Sequence, residues 1–411
     1  MKRGWETHKL GQVCDLIARG IAPKYVEDGL LVLNQRCIRG HRVDFEFARR
    51  HNLSLKSPPA DRFIRIGDVL VNSTGEGTLG RVAQVREEPS EPTTVDTHVT
   101  IVRPQTKRFY SDFFGYMLIF IEDQIAASGE GASGQTELSR TTLSEKFAVS
   151  FPTSHDEQKR IVAILDEAFE GLDRAAANAK KNLANARELF DSHLNSMFLK
   201  LSEGLSRHPL DSLCGRDRII TYGVIKLGDE ISSGVPCLRT SNVRRLRIDT
   251  AGMKRIAPSL SQDYKRTILQ GGEVLVNVRG TLGGVAVADA EMEGWNVSRE
   301  IAVVPADKHR VSPAYLSYFV ATSESQKWLS SVEKGATYRG INLEDLRTLF
   351  VPLPDMRTQL SVVEQCDSLL SDTRQLEQNY ETKVAALAEL RQAVLQRAFA
   401  GDLTERLDLA A

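Results

Sequence analysis

The strongest constraint on how this chain folds is that it is written twice. Residues 67–72 read GDVLVN and residues 272–277 read GEVLVN, 205 positions apart. Each is followed by a glycine-containing turn and a second apolar run, STGEGTLGRVAQV in the first copy and VRGTLGGVAVA in the second. The echoes continue in order: VRP at 102–104 with VVP at 303–305, GASGQTELSR at 131–140 with GATYRGINLE at 335–344, and HLNSMF at 193–198 with VLQRAF at 394–399. Such a period is far longer than a solenoid repeat, so a tandem duplication of one large unit is expected. A length of 411 residues accommodates two or three domains, each able to bury a core without staples.

Each copy has two parts. Residues 1–151 and 201–353 place short β-branched runs (69–71, 82–85, 99–102, 274–276, 285–287) between Gly, Pro, Asn and Asp, which predicts strands with turn-rich connections. Helix is expected near 111–121 and 313–329. The remaining segments, 152–200 and 354–411, read as long helices. Ser154 and Glu157 make an S-x-x-E capping box, and Gly401 is a C-cap candidate. Apolar positions then step by four and three through Leu165, Phe169, Leu172, Ala176, Ala179, Leu183, Ala186, Phe190, His193 and Met197, interrupted only by the histidine. The second helix repeats the spacing less cleanly at Leu369, Thr373, Leu376, Tyr380, Lys383, Leu387, Leu390 and Val394. That is a coiled-coil seam, and the intervening 201–353 segment is long enough for the helices to run antiparallel. The expected fold class is mixed α+β, with two similar domains joined by two long helices that form an antiparallel coiled coil, a pseudo-twofold internal duplication.

Charge and cysteine usage narrow the function. Net charge is −1, but residues 1–150 carry 20 basic against 19 acidic side chains and 201–353 carry 20 against 17. Neither block is basic enough to hold phosphates strongly by itself, so a DNA ligand implies a partner supplying part of the positive surface. The five cysteines form no C-x-x-C pair, which argues against a zinc ribbon or a disulfide framework. No apolar run approaches a membrane span and the start lacks a signal-peptide core, so a cytoplasmic location is expected.

Several motifs invite stronger readings. Residues 75–80, GEGTLG, satisfy G-x-G-x-x-G, yet the residues after them alternate like a strand and the second copy loses the spacing. A tight turn between strands is expected rather than a dinucleotide site. His98 faces Arg299 at an offset of 201 and has no Cys/His cluster in sequence, so no metal is expected. The 205 offset places Cys37 opposite Asn242, making the shared 200-residue spacing of Cys37 and Cys237 a coincidence. No P-loop, H-E-x-x-H, G-x-S-x-G or N-P-P-[YF] segment gives catalysis a foothold. Ser73, Thr74, Arg81 and Arg279 lie in the duplicated turns, where they can touch phosphates or bases. The phrases 134–136 and 337–339 hold Gln135, Thr136, Tyr338 and Arg339, and Gln and Arg suit adenine and guanine edges. The basic pairs at 49–50 and 107–108 and the cluster RRLR at 244–247 fit solvated loops or phosphate contacts equally.

Taken in order, GDVLVNSTGEGTLG (67–80), DTHVTIVRP (96–104), GASGQTEL (131–138), EQKRIVAILD (157–166), VPCLRTSNV (235–243), GATYRGINL (335–343) and LRQAVLQRAFAGDL (390–403) resemble the specificity subunits of type I restriction–modification enzymes. The resemblance covers nearly the whole chain. It implies two target recognition domains, each reading one half of a bipartite, asymmetric double-stranded DNA target. Arg36, Arg140, Arg239, Ser241 and Asn242 join the expected DNA contacts. It also implies a non-catalytic subunit that seats two DNA methyltransferase (modification) subunits and, through them, restriction/translocase subunits. S-adenosylmethionine, ATP and Mg then belong to those partners, with no cofactor on this chain. The second helical segment, PDMRTQLSVVEQCD, departs from the EQ-x-x-I-V phrase of the first. Competing readings are a methyltransferase-related enzyme with an unrecognised cofactor site and a coiled-coil scaffold without DNA specificity.

Overall fold

A computed structural model describes residues 4–55, 57–131, 136–335 and 340–404. The chain divides into two compact units, Met1–Asn178 with Lys383–Ala411, and Ala179–Thr382. The expected edges near 151, 200 and 353 mark where the long helices begin and end. The compact units divide within those helices instead, because each helix contributes its two ends to different cores.

In the first unit Cys14–Arg19, Val99–Pro104, Val69–Asn72 and Val82–Gln84 form an antiparallel sheet in that spatial order. Alternate residues of its central strand face opposite ways. Val69 and Val71 meet Phe113, Phe114 and Met117, the last three from the helix Ser111–Phe120, whereas Leu70 meets Leu33, Ile38 and Ile101. Both faces are therefore covered, which is why the strand reads as one apolar run rather than an alternation. The second unit repeats this with Thr221–Tyr222, Ile301–Val304, Val274–Asn277 and Val285–Val287. There Val274 and Val276 meet Tyr315 and Phe319, and Leu275 meets Leu238 and Val303.

A parallel pair adjoins each sheet, Leu30–Leu33 with Thr93–Val95 and Val235–Leu238 with Asn296–Val297. The crossing is so close that only glycine fits beside it. A Cβ on Gly20 would lie 1.7 Å from the Val95 carbonyl oxygen, and one on Gly223 would lie 1.8 Å from that of Val297. An antiparallel ribbon closes each unit, Trp5–Lys9 with Ala148–Pro152 and Arg207–Pro209 with Phe350–Pro352. The helix expected at 313–329 is two helices, Pro313–Val320 and Ser323–Ser331, because the Thr322 hydroxyl caps the second by accepting from the Ser325 amide at 3.3 Å.

The long helices are His155–Ser202 and Met356–Ala400. In the first unit Ile161, Leu165 and Phe169 share a core with Leu395, Ala398 and Phe399. Asp173 pairs with Arg391 at 2.6 Å and Glu157 meets Thr404, so the helices run antiparallel there. In the second unit Phe190, Leu194 and Phe198 pack with Val362 and Cys366, and Arg187 reaches Glu377 at 3.2 Å and Glu381 at 2.9 Å, again antiparallel. Of the expected seam residues Leu165, Phe169 and Phe190 are buried, and Leu172, Ala176, Leu183, Tyr380, Leu387 and Val394 are half-buried.

Two expectations need correction. His193 is exposed, and Leu194 and Phe198 take the interior positions, so the seam has no histidine. On the second helix Leu376 is 40% exposed and Leu390 50% exposed, and their neighbours Glu377 and Arg391 turn inward instead. Ion pairs with Arg187 and Asp173 let charged residues occupy the stripe that periodicity assigns to the adjacent leucines. The capping box is half formed. The Glu157 amide donates to Ser154 Oγ at 3.4 Å, but the Glu157 carboxylate turns to Thr404 and Arg160. Gly401, with φ of 83°, ends the second helix as expected.

Candidate nucleic-acid interface

Past Asn72 and its counterpart Asn277, each sheet opens into a turn whose surroundings are built alike. The Ser73 amide donates to the His98 carbonyl and the Val278 amide to the Glu300 carbonyl, both at 2.8 Å. Thr74 then bridges Glu137, and Arg279 bridges Gly340. One strand over, Arg19 lies beside Thr100 and Tyr222 beside Ala302. Four backbone positions thus recur as a rim at the sheet end, occupied by Arg19, Thr74, His98 and Glu137 in the first unit and by Tyr222, Arg279, Glu300 and Gly340 in the second.

In the first unit these side chains engage one another. Arg19 pairs with Glu137 and donates to the Leu138 carbonyl at 2.7 Å, while Thr74 Oγ1 lies 2.6 Å from His98 Nδ1. In the second unit a large side chain replaces the small Thr74 and a glycine replaces Glu137. A Cβ on Gly340 would come within 2.8 Å of Arg279 Cγ, so the missing side chain is what makes room for the arginine stem. The residue matched to His98 is Glu300, not Arg299, because each offers its carbonyl to the amide that begins the turn, at an offset of 202 rather than 201. Outside the rim, exposed Glu130 and exposed Lys334 occupy equivalent places, bonded through their backbones to Glu137 and Gly340 respectively.

The other expected contacts divide. Arg36, Arg140, Ser241 and Arg279 are exposed, as is Thr136. The Arg36 guanidinium also stacks over Phe47 at 4.9 Å. Arg81 donates to the Gly77 carbonyl at 2.9 Å and Arg239 to that of Gly252 at 2.9 Å, so both are braced within their own loops. Gln135, Tyr338 and Arg339 lie outside the described residues.

Ser73 and Asn242 are corrected from surface contacts to interior ones. Ser73 is fully buried with its hydroxyl 2.5 Å from Thr100 Oγ1. Asn242, 1% exposed, accepts from the Arg239 amide at 2.9 Å and donates to the Asp249 carbonyl at 2.9 Å. Its counterpart is indeed Cys37, whose thiol receives the Asn34 amide at 3.4 Å, so an amide and a thiol close the same turn. Burial pushes the Cys37 thiol up to about 11, as expected of a packed rather than reactive group. Of the basic clusters, Arg245 is docked on Asp191 at 2.5 Å and the Ala321 carbonyl at 3.0 Å, and Arg50 is held bidentately by Glu91. Arg244 and Arg247 are exposed.

The G-x-G-x-x-G stretch is a turn between antiparallel strands, with Gly75, Gly77 and Gly80 at φ of 104°, 68° and 85°. Among the described residues no group of three or more His, Cys, Asp or Glu side chains is placed to hold a metal, and no helix is long and apolar enough to cross a membrane.

A duplicated anchor, missed in the sequence, ties each rim-bearing sheet to its helix. Gln158 Nε2 donates to the Arg108 and Pro152 carbonyls at 2.9 and 2.8 Å, and its Oε1 accepts from the Tyr110 amide at 2.7 Å. Gln359 does the same with the Arg310 and Pro354 carbonyls and the Ser312 amide, at 3.1, 2.9 and 2.8 Å. Tyr116 and Tyr318 each donate to a helix carboxylate, Asp166 and Asp367, at 2.5 Å. Burial, reinforced by Asp166, raises the Tyr116 phenol from 10.0 to about 12.

The molecule is thus a duplicated α+β protein whose two units present unlike polar rims on like frames. A family model for the type I restriction modification DNA specificity domain matches residues 55–183 and 232–386, and the chain belongs to that family. Over 211 residues it is 25% identical to the specificity subunit of the type I restriction enzyme EcoBI of Escherichia coli, covering 51% of this chain and 44% of that protein. Over 393 residues it is 20% identical to a Methanocaldococcus jannaschii sequence ascribed to the type I restriction enzyme MjaX as its specificity subunit, covering 89% and 86%. The matched part spans less than half the length of the E. coli relative. The fold is shared with a chain from a structural study of complex assembly and conformational transition of the type I R-M system, with a TM-score of 0.76, 20% identity and coverage of 98% and 99%. It is also shared with the HsdS subunit from Thermoanaerobacter tengcongensis, with a TM-score of 0.57, 20% identity and coverage of 98% of each chain.

Proposed function

We propose that this chain is the sequence-reading subunit of a type I restriction–modification complex, in which each unit reads one half of a bipartite, asymmetric DNA target. The observation that carries the reading is the duplication itself: two frames built from the same hydrogen bonds place different residues at equivalent positions. A palindromic target would call for like readers, whereas unlike readers suit unlike half-sites. Each long helix has one end in either unit, so the helix pair is the element that would set the spacing of the half-sites.

Two modification subunits seat on the duplicated frame and carry S-adenosylmethionine. Restriction subunits bring ATP and Mg, and the complex works in the cytoplasm. The near-neutral charge of this chain makes its own grip on phosphate weak, so those partners supply part of the basic surface. Band-shift titration with the modification subunits present tests the reading. Preference for one bipartite sequence over scrambled duplexes is expected. Equal binding to all duplexes would favour a scaffold, and calorimetric binding of S-adenosylmethionine by this chain alone would favour an enzyme.

A further inference from the structure

Beside the glycine turn of each unit stands a second turn residue, His98 before the strand Val99–Pro104 and Glu300 before the strand Ile301–Val304. We infer that His98 and Glu300 are base-reading residues of unlike hydrogen-bonding character, an imidazole and a carboxylate, one in each half of the target. This rests on the DNA-reading function proposed above and names the side chains that make the two half-sites differ.

Three observations converge on them. First, they are equivalent by backbone geometry, each offering its carbonyl to the amide that begins the turn. Because the main chain does the structural work, the side chains are not needed for the fold. Second, their surroundings differ between two otherwise matched frames. His98 stands with Thr74, Arg19 and Glu137; Glu300 stands with Arg279, Tyr222 and Gly340. Third, each is presented rather than consumed. Thr74 Oγ1 engages His98 Nδ1 at 2.6 Å, and the exposed ring keeps Nε2 without a hydrogen bond among the described residues. The neighbouring guanidinium of Arg19 is already committed to Glu137 and the Leu138 carbonyl, so it steadies the rim. Glu300 receives only a long hydrogen bond of 3.4 Å from Ser298 Oγ among the described residues, leaving acceptor capacity.

Their chemistry differs in kind. The imidazole of His98 can present Nε2 as donor or acceptor, according to which way its bond to Thr74 runs, and it suits guanine O6/N7 or thymine O4 when Nε2 carries the ring proton. The carboxylate of Glu300 only accepts, matching the amino group of cytosine or adenine. Glu300, half-buried, is disfavoured as a phosphate contact because its carboxylate and a phosphate repel.

The test is methylated-motif sequencing of the complete modification complex carrying wild-type chain, His98→Ala or Glu300→Gln, with thermal unfolding of each variant alongside. His98→Ala is expected to relax one base pair of one half-site, with about a tenfold rise in modification of the singly altered sequence. Glu300→Gln is expected to alter one base pair of the other half-site only. Unfolding midpoints should stay at the wild-type value, because the residues' backbone bonds persist. Unchanged motifs in both variants would overturn the inference while leaving the DNA-reading function standing. Uniformly weaker modification of all sites, with a smaller salt dependence, would overturn it in favour of a phosphate contact. A wild-type complex with no sequence preference would overturn the function and the inference together.

Discussion

The two units keep the same frame while sharing almost none of their exposed rim. Gln158 and Gln359 make three equivalent hydrogen bonds, Tyr116 and Tyr318 each reach a carboxylate of the long helix in their unit, and Gly20 and Gly223 sit under the same kind of strand crossing. Conversely, Thr74 faces Glu137 where Arg279 faces Gly340, so bulk has moved from one side of the contact to the other. A buried polar network is costly to leave half satisfied, whereas exposed substitutions are nearly neutral for stability. Duplication followed by divergence therefore keeps the first and rewrites the second.

Breaking the frame should cost the most, and equally in both units. Gly20→Ala and Gly223→Ala each force a carbon far inside contact distance of a backbone oxygen, and a loss of roughly 3 kcal/mol is expected in either case. Chemical denaturation measures it, and a harmless Gly223→Ala would show that the second crossing is looser. Removing the anchors comes next. Gln158→Ala or Gln359→Ala strands two carbonyls and an amide, with an expected cost of about 2 kcal/mol apiece on the same measurement.

Tyr116→Phe should cost about 1 kcal/mol. It also has a pH signature. The folded phenol is raised from 10.0 to about 12, so its contribution is complete below pH 10 and is lost as pH climbs through about 12. Wild type should lose its advantage over Tyr116→Phe across that window, and a pH-independent difference would contradict the assignment. Smallest of all is Leu376→Ala. At 40% exposure it should shift stability by less than about 0.5 kcal/mol, whereas Phe190→Ala, in the core, should cost about 3 kcal/mol or more.

The frame was legible because it leaves a periodic or repeated trace. The GDVLVN and GEVLVN runs and the two long helices come from spacing that survives duplication, and the glycine turn from the strand-like alternation that follows it. The rim was less legible. Equivalent positions are 205 apart at Thr74 and Arg279 but 202 apart at His98 and Glu300, since the second copy is shorter between them. The 201 offset that pairs His98 with Arg299 falls one residue short of this register. Ser73 and Asn242 carry polar groups that look like surface chemistry in sequence, yet burial makes them turn-closing residues. Leu376 and His193 show the complementary error. Heptad counting cannot see that Arg187 draws Glu377 inward or that Leu194 and Phe198 continue the stripe.

The claim that two independent readers sit on one frame is tested most directly by replacing residues 1–151 with the corresponding segment of a relative and sequencing the methylated motif. One half of the bipartite target should change and the other half should remain as in the native complex. A change in both halves, or in neither, would contradict the account.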